Sequence, residues 1–269
     1  MIGRIVCAGD VPRSRRGVAR KAIERATPAL NSFGVRGIVT PGGFAHFTIP
    51  GSYRKSRGWN TKTSDFEFIA KRTTEHYRNH IQPNRFIFGS TVRYLTIGID
   101  PYDSYWKLAE LVLIHDIREN RVHVTGKSFP RTDEEDELVL APVDSHFITI
   151  GSDHLMILGC HDLNIWSRRS EANTTQPMRR MVRRHIKQIA RGFEPNVVLH
   201  HAHATDSEKT WAAGWSGLLK DLRSVKNYTT ALGFYNAYTR NKVRGSRSPF
   251  EVVQKAYHSE DVRDSVLVF

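Results

Sequence analysis

The stretch His154-Leu155-Met156-Ile157-Leu158-Gly159-Cys160-His161-Asp162-Leu163 decides how this chain is read. It is an apolar strand that runs through a glycine into a thiol. A thiol at a strand end, preceded by glycine, can be presented at a sheet edge with backbone N–H groups nearby, which suits nucleophilic attack and an oxyanion hole. A cysteine after a strand is more often a small core residue, so the weight of the reading falls on its surroundings.

Working outward, His146 to Ile150 and His154 to Leu158 read as a hairpin turning at Gly151-Ser152-Asp153. Leu108 to Asp116 and Arg121 to Thr125 read as an earlier hairpin around Glu119-Asn120. Ile2 to Ala8, Val35 to Thr40, Arg85 to Ser90, Asn196 to His201, Tyr228 to Tyr235 and Asp264 to Phe269 are further strand candidates. Helices are expected over Arg13 to Ser32, from a Ser64 or Asp65 cap to about Ile81, over Met178 to Arg191 and over Glu208 to Leu222. In the third of these, Met181, Val182, Ile186 and Ile189 share one face, with Arg179, Arg180, Arg183, Lys187 and Arg191 on others. Residues 44 to 63 read as a long loop. Strands alternating with helices predict an α/β fold, and the hairpins argue against a purely parallel sheet. No linker divides the sequence, so residues 1–269 are expected to form one domain.

Composition limits the function classes. With 269 residues and 39% hydrophobic content the chain can bury a substantial core. The longest apolar runs, such as Leu108 to Ile114, are too short to span a bilayer. Met1 to Cys7 lacks the apolar core of a signal peptide and reads as a first buried strand. Two cysteines, Cys7 and Cys160, make a disulfide framework and a four-cysteine zinc site untenable and fit a reducing cytoplasm. The net charge of +13 comes from 40 Lys+Arg against 27 Asp+Glu. It raises nucleic acid as a partner, through Arg13-Ser14-Arg15-Arg16, Arg54-Lys55 and Arg179 to Lys187, but the charge is spread along the chain and no nucleic-acid motif accompanies it.

The order of partial motifs resembles the nitrilase (carbon–nitrogen hydrolase) superfamily. Gly159-Cys160-His161-Asp162-Leu163-Asn164-Ile165-Trp166 is similar to its nucleophile signature, without the usual Phe-Pro-Glu ending. Val122-His123-Val124-Thr125-Gly126-Lys127-Ser128-Phe129-Pro130 is similar to the run that carries the family's lysine. Glu134 lies at the offset of a second glutamate. Phe86-Ile87-Phe88-Gly89-Ser90 resembles the third strand and Arg223-Ser224-Val225-Lys226-Asn227 a later helix end. Gly37-Ile38-Val39-Thr40-Pro41 resembles the strand that leads into the catalytic glutamate, but that position is Gly42.

The resemblance implies a four-layer αββα sandwich of two mixed sheets flanked by helices, no cofactor, and a homodimer or larger assembly. It implies a thiol-dependent hydrolase of a linear amide, nitrile or carbamoyl compound. Cys160 would form a thioester, Lys127 would steady the developing charge, and Glu134 would position substrate or lysine. An ammonium beside a thiolate favours its ionisation, which suits that pairing. The glutamate that takes the thiol proton in the usual mechanism is missing, and Gly42 cannot transfer a proton. Glu67 or Glu75 could reach the gap, and so could imidazoles of Val197-Val198-Leu199-His200-His201-Ala202-His203. Alternation sets His201 and His203 on one face and His200 on the other. His161, His201 and His203 are therefore substrate-binding candidates. A metal held by Cys160, His161 and this cluster has no recognised ligand spacing, and none is expected. The rival reading is a pseudoenzyme that lost catalysis with the glutamate and binds a ligand or partner instead.

Overall fold

The fold is organised by Ile2–Ala8, the first strand, β1, which is buried along its whole length. The computed structural model describes residues 1–8, 17–49, 56–103, 106–168, 176–203, 208–233 and 248–268. Within it β1 lies parallel to both β2 (Gly37–Val39) and β11 (Val262–Val268). β3 (Ala45–Thr48) and β4 (Tyr94–Tyr102) follow, then the antiparallel hairpin of β5 (Leu111–Asp116) and β6 (Arg121–Gly126). The first sheet runs β11-β1-β2-β4-β5-β6, with β3 also on β4. A second sheet, ordered β10-β9-β8-β7, is built from β7 (Phe147–Ile150), β8 (Asp153–Leu158), β9 (Val197–Ala202) and β10 (Asn227–Leu232). Both sheets mix parallel and antiparallel pairs.

The sheets meet across an apolar layer that includes Ile2, Val39, Tyr94, Val112, Leu155 and Leu199. Helix α1 (Val18–Ser32) covers the outer face of the first sheet, where Ile23, Ala26 and Leu30 join the cluster of Ile5, Ile38 and Leu95. Helix α2 (Thr63–His76) adds Phe66 and Ile69 to a smaller cluster with Leu111. Ile186 of α3 (Pro177–Phe193) and Trp215 of α4 (Glu208–Asp221) join the cluster of Met156, Leu158 and Val198 on the outer face of the second sheet. A short fifth helix, α5 (Pro249–Lys255), opens with a capping box between Ser248 and Glu251. The result is the helix–sheet–sheet–helix sandwich expected from the sequence. Fully buried Arg4 ties the layers together, pairing with Asp264 at 2.6 Å in the first sheet and donating to Thr230 O at 3.1 Å in the second.

Several expectations need correction. Arg85 to Ser90 is not a strand: Asn84 caps a single turn at Arg85–Ile87, and Phe86 is 79% exposed. The strand in this region is β4, which Gly98 and Pro101 disguised, because both residues read as breakers. The expected loop 44 to 63 begins with β3, and its residues 50–55 lie outside the described residues. Neither Ser64 nor Asp65 caps α2. Lys62 holds that place, and the buried Asp65 carboxylate accepts instead from Ser56 N at 3.0 Å. The helix ends in a π-helical turn, Tyr77–Ile81. Leu108 to Glu110 precedes β5 as irregular chain, and α5 was not anticipated. The expected helix start at Arg13, the end of the strand at Tyr235, and the basic clusters at 13–16 and 54–55 fall outside the described residues.

Several basic side chains of α3 engage the chain's own groups. Arg179 pairs with Glu135 at 2.5 Å and lies over the Phe129 ring, while Arg191 and Lys187 approach Asp221 at 2.6 and 3.9 Å. Among the described residues no helix is long and apolar enough to cross a membrane.

Candidate active site

Loops that leave the strands converge on one charged cluster. Cys160 follows β8 after Gly159 and is half-buried. Lys127 follows β6 directly, and its backbone is fixed on both sides: its N–H donates to Glu110 O at 2.8 Å, and its carbonyl accepts from Ala141 N at 3.0 Å. Fully buried Asp162 locks the two loops together. One carboxylate oxygen accepts from Ser128 N at 3.0 Å and Phe129 N at 2.8 Å, and the other from Gly159 N at 2.8 Å. The Cys160 turn and the Lys127 turn therefore cannot move independently.

The Lys127 ammonium is buried and touches two carboxylates, Glu110 at 2.6 Å and Glu134 at 2.7 Å. Glu134 is held in turn by Arg131 N at 3.0 Å. Glu110 also contacts Lys107 at 2.8 Å. A carboxylate oxygen of Glu110, Sγ of Cys160 and a ring nitrogen of His203 all lie within 4.8 Å of one another. The backbone N–H of His203 points at Sγ, 3.5 Å away. On the far side of that imidazole, Nε2 donates to Asp100 at 2.8 Å, and Asp100 meets Lys107 at 3.3 Å. Three cations thus interleave with three carboxylates around one thiol.

Electrostatics follow from this packing. Burial alone would push the Lys127 ammonium toward neutrality, but Glu110 foremost, with Cys160 and Glu134, keeps its pKa above the usual lysine value. Burial would raise the Glu110 carboxyl. His203 and the two lysines overcome it and hold Glu110 well below the ordinary range. The His203 imidazolium, disfavoured by burial, is stabilised by Asp100 and then Glu110 to about 10. Asp100 falls to about 2, because His203 and Lys107 outweigh its own burial.

Of the residues the sequence pointed to, Cys160, Lys127, Glu134 and His203 come together here. His161 lies beside them. Asn164 Nδ2 donates to its Nδ1 at 3.0 Å, and burial, reinforced by Lys127, holds it neutral with a pKa near 4. His201 is 1% exposed, on the same alternation as Leu199 of the inter-sheet layer, and stays outside the cluster. It is therefore set apart from the Cys160 cluster in this structure. His200 faces the other way. Its Nε2–H donates to the carbonyl of Cys160 at 2.9 Å, and its Nδ1 accepts from Thr230 at 3.0 Å. It fixes the backbone of Cys160 and does not face the thiol. Neither Glu67 nor Glu75 reaches the gap at Gly42: both sit on α2, where Glu75 pairs with Arg72 at 2.9 Å.

Glu110, Asp100, Lys107 and Asp162 were missed as site residues. A signal was present for the first two. Each is a carboxylate inside an apolar run, Ile97-Gly98-Ile99-Asp100 and Leu108-Ala109-Glu110-Leu111-Val112, and buried carboxylates are rare unless paired.

No protein-family model matches the sequence, and no curated protein matches it. Solved structures do. The chain is similar to an amidase from Nesterenkonia sp. AN1, seen as a glutamate-to-glutamine variant with acrylamide added to its active-site cysteine. Identity is 13% over 86% of this chain and 78% of that one, with a TM-score of 0.51. A double variant of the same amidase in complex with acrylamide gives 13% identity, 86% and 76% coverage and a TM-score of 0.51. A cysteine-to-serine variant, described as an amidase from the nitrilase superfamily, gives the same four values. The likeness establishes the fold of these amidases.

Proposed function

We propose that the chain is a cysteine hydrolase of small linear amides, nitriles or carbamoyl compounds. The observation that carries this reading is the half-buried Cys160 sulfur within 4.8 Å of Glu110 and His203, beside a lysine clamped between two carboxylates. Buried charges at this density are costly to assemble, and functional sites are where such arrangements concentrate.

In this reading the Cys160 thiolate attacks the carbonyl carbon. The Lys127 ammonium meets the negative charge that develops on oxygen. The carbon–nitrogen bond breaks, the amine leaves, and water cleaves the thioester. Glu110 replaces one part of the missing glutamate's work by holding Lys127 in place. Acrylamide, which the structurally similar amidase binds, suggests a short acyl chain.

The test is turnover of a panel of short aliphatic amides and nitriles, followed by ammonia release, with Cys160→Ala as the control. Release that disappears in the variant supports the reading. If the native chain releases no ammonia from any member and Cys160 is not modified by acrylamide, the reading fails in favour of a domain that binds without catalysis.

A further inference from the structure

We propose that His203, held by Asp100, carries the proton to the leaving amine and recovers it from the attacking water, in the room that glycine leaves at position 42. The proposal rests on Cys160 being the nucleophile and goes further by naming a proton carrier and a positioning residue.

A Cβ at position 42 would lie 2.8 Å from His203 Nδ1 and 3.0 Å from its Cε1. The imidazole therefore fills the volume through which a side chain at 42 would reach the site. A side chain at 42 would also meet the His201 carbonyl oxygen at 2.8 Å, so the backbone of β9 and the imidazole together require glycine there.

Orientation comes next. Nε2 is taken by Asp100, which leaves Nδ1 toward the cluster, 3.7 Å from Glu110. A ring nitrogen is within 4.8 Å of Sγ, and the backbone N–H of the same residue donates to that sulfur. This is an acid–imidazole–thiol sequence, in which a carboxylate orients the imidazole and the imidazole serves the nucleophile.

The neighbours decide which group can move a proton. Glu110 lies between Lys127 and Lys107 and is held well below the carboxylate range, so it has no proton to give near neutrality. Lys127 is in contact with two carboxylates and is needed at the carbonyl oxygen. Asp100 and then Glu110 favour the His203 cation, and Lys107 opposes it. His200 and His201, on β9 just before His203, are pushed down to about 4 and 3, chiefly by burial, and stay neutral. His203 is thus the cation of the cluster that can release a proton and regain it.

The steps balance. Thiolate and imidazolium form the resting pair. Sulfur bonds to the acyl carbon, the carbon–nitrogen bond breaks, and Nδ1 gives its proton to the departing nitrogen, leaving a thioester and neutral His203. Consumption of the thiolate removes one negative neighbour, which makes the imidazolium more acidic at the moment it must donate. Water then attacks the thioester and passes a proton to Nδ1. The carbon–sulfur bond breaks, and the acid departs as the thiolate–imidazolium pair returns.

The experiment compares acetamide with p-nitrophenyl acetate, which deliver the same acyl group from leaving groups that do and do not need a proton. In His203→Gln, acetamide turnover is expected to fall about 100-fold or more, the range of general acid–base catalysis. The p-nitrophenol burst that reports acylation should stay within about 10-fold of the native rate. Equal losses on both substrates, or undiminished amide turnover, would overturn the proposal. Should His203→Gln not fold by circular dichroism, Asp100→Asn decides. It is expected to move the alkaline limb of acetamide turnover at least one pH unit lower, and an unmoved limb with uniformly reduced turnover overturns the proposal. A native protein that gives neither a burst nor ammonia removes the nucleophile reading itself, which separates that failure from this one.

Discussion

Glu110 and Lys127 stand 2.6 Å apart with both side chains nearly sealed from solvent, at 7% and 1% exposure. Removing one partner of such a pair leaves an uncompensated buried charge, at a cost of about 3–5 kcal/mol. Glu110→Ala is therefore expected to lower the urea midpoint sharply. Glu134→Ala, whose carboxylate is 20% exposed, should lose less, about 1 kcal/mol, because water can replace it. A larger loss in Glu134→Ala would show that Lys127 depends on the outer carboxylate.

The contact between the Cys160 turn and the Lys127 turn admits no side chain at Gly159. An added Cβ there would sit 2.9 Å from Asp162 Oδ2 and 3.0 Å from Lys127 Cα and N. Gly159→Ala should force the turns apart, costing about 1–3 kcal/mol, as overpacking does, with slower alkylation of Cys160. Asp162→Asn keeps the shape but turns an N–H donor toward backbone N–H groups that now meet a carboxylate. A loss of about 2–4 kcal/mol is expected from unsatisfied buried donors. Chemical denaturation measures both, and an Asp162→Asn protein as stable as the native one would mean that the carboxylate does not clamp the turns.

The sandwich was legible because its strands are apolar runs of ordinary length bounded by turn residues, as in Asp153–Leu158 and Val197–Ala202. β4 escaped because a close approach governs it. A Cβ at Gly98 would lie 2.1 Å from Pro41 O, so a packing requirement wrote a breaker into a central strand. Cys160 and Lys127 could be found because each follows a strand within a motif. Glu110 and Asp100 stood out only as carboxylates inside apolar runs, and their roles were hidden because their partners lie far along the chain: Glu110 meets Lys127 and His203, and Asp100 meets His203. The imidazoles at the end of β9 were also legible as neighbours of Gly42, but not which of them lies against it: His203 Nδ1 stands 2.8 Å from where a Cβ at 42 would be.

The two cysteines should behave oppositely toward an alkylating reagent. Cys7 is fully buried against α1, and burial pushes its thiol well above the ordinary value. Cys160 is partly open and next to a lysine and an imidazolium. Iodoacetamide under native conditions should modify Cys160 alone, and both residues in urea, as read by peptide mass. Modification of Cys7 at a comparable native rate would mean that β1 opens far more readily than its packing allows.

Stability should peak near neutral pH and fall more steeply on the acid side. His161, His200 and His201 have folded values of about 4, 4 and 3, against 6.5 as the ordinary value. Unfolding at acid pH therefore takes up protons that the folded state refuses. Their contribution is complete above about 6.5 and declines as pH falls toward 4, with a limiting slope of about 4 kcal/mol per pH unit for three protons. His203 works in the opposite sense. Its folded value of about 10 means that its contribution is complete below 6.5 and is lost as pH rises toward 10, by about 1.4 kcal/mol per unit. Urea midpoints from pH 4.5 to 9.5 should trace this asymmetric dome. His203→Gln should flatten the alkaline limb and leave the acid limb intact, whereas an unchanged alkaline limb would mean that the Asp100–His203 pair does not hold its proton in the folded protein.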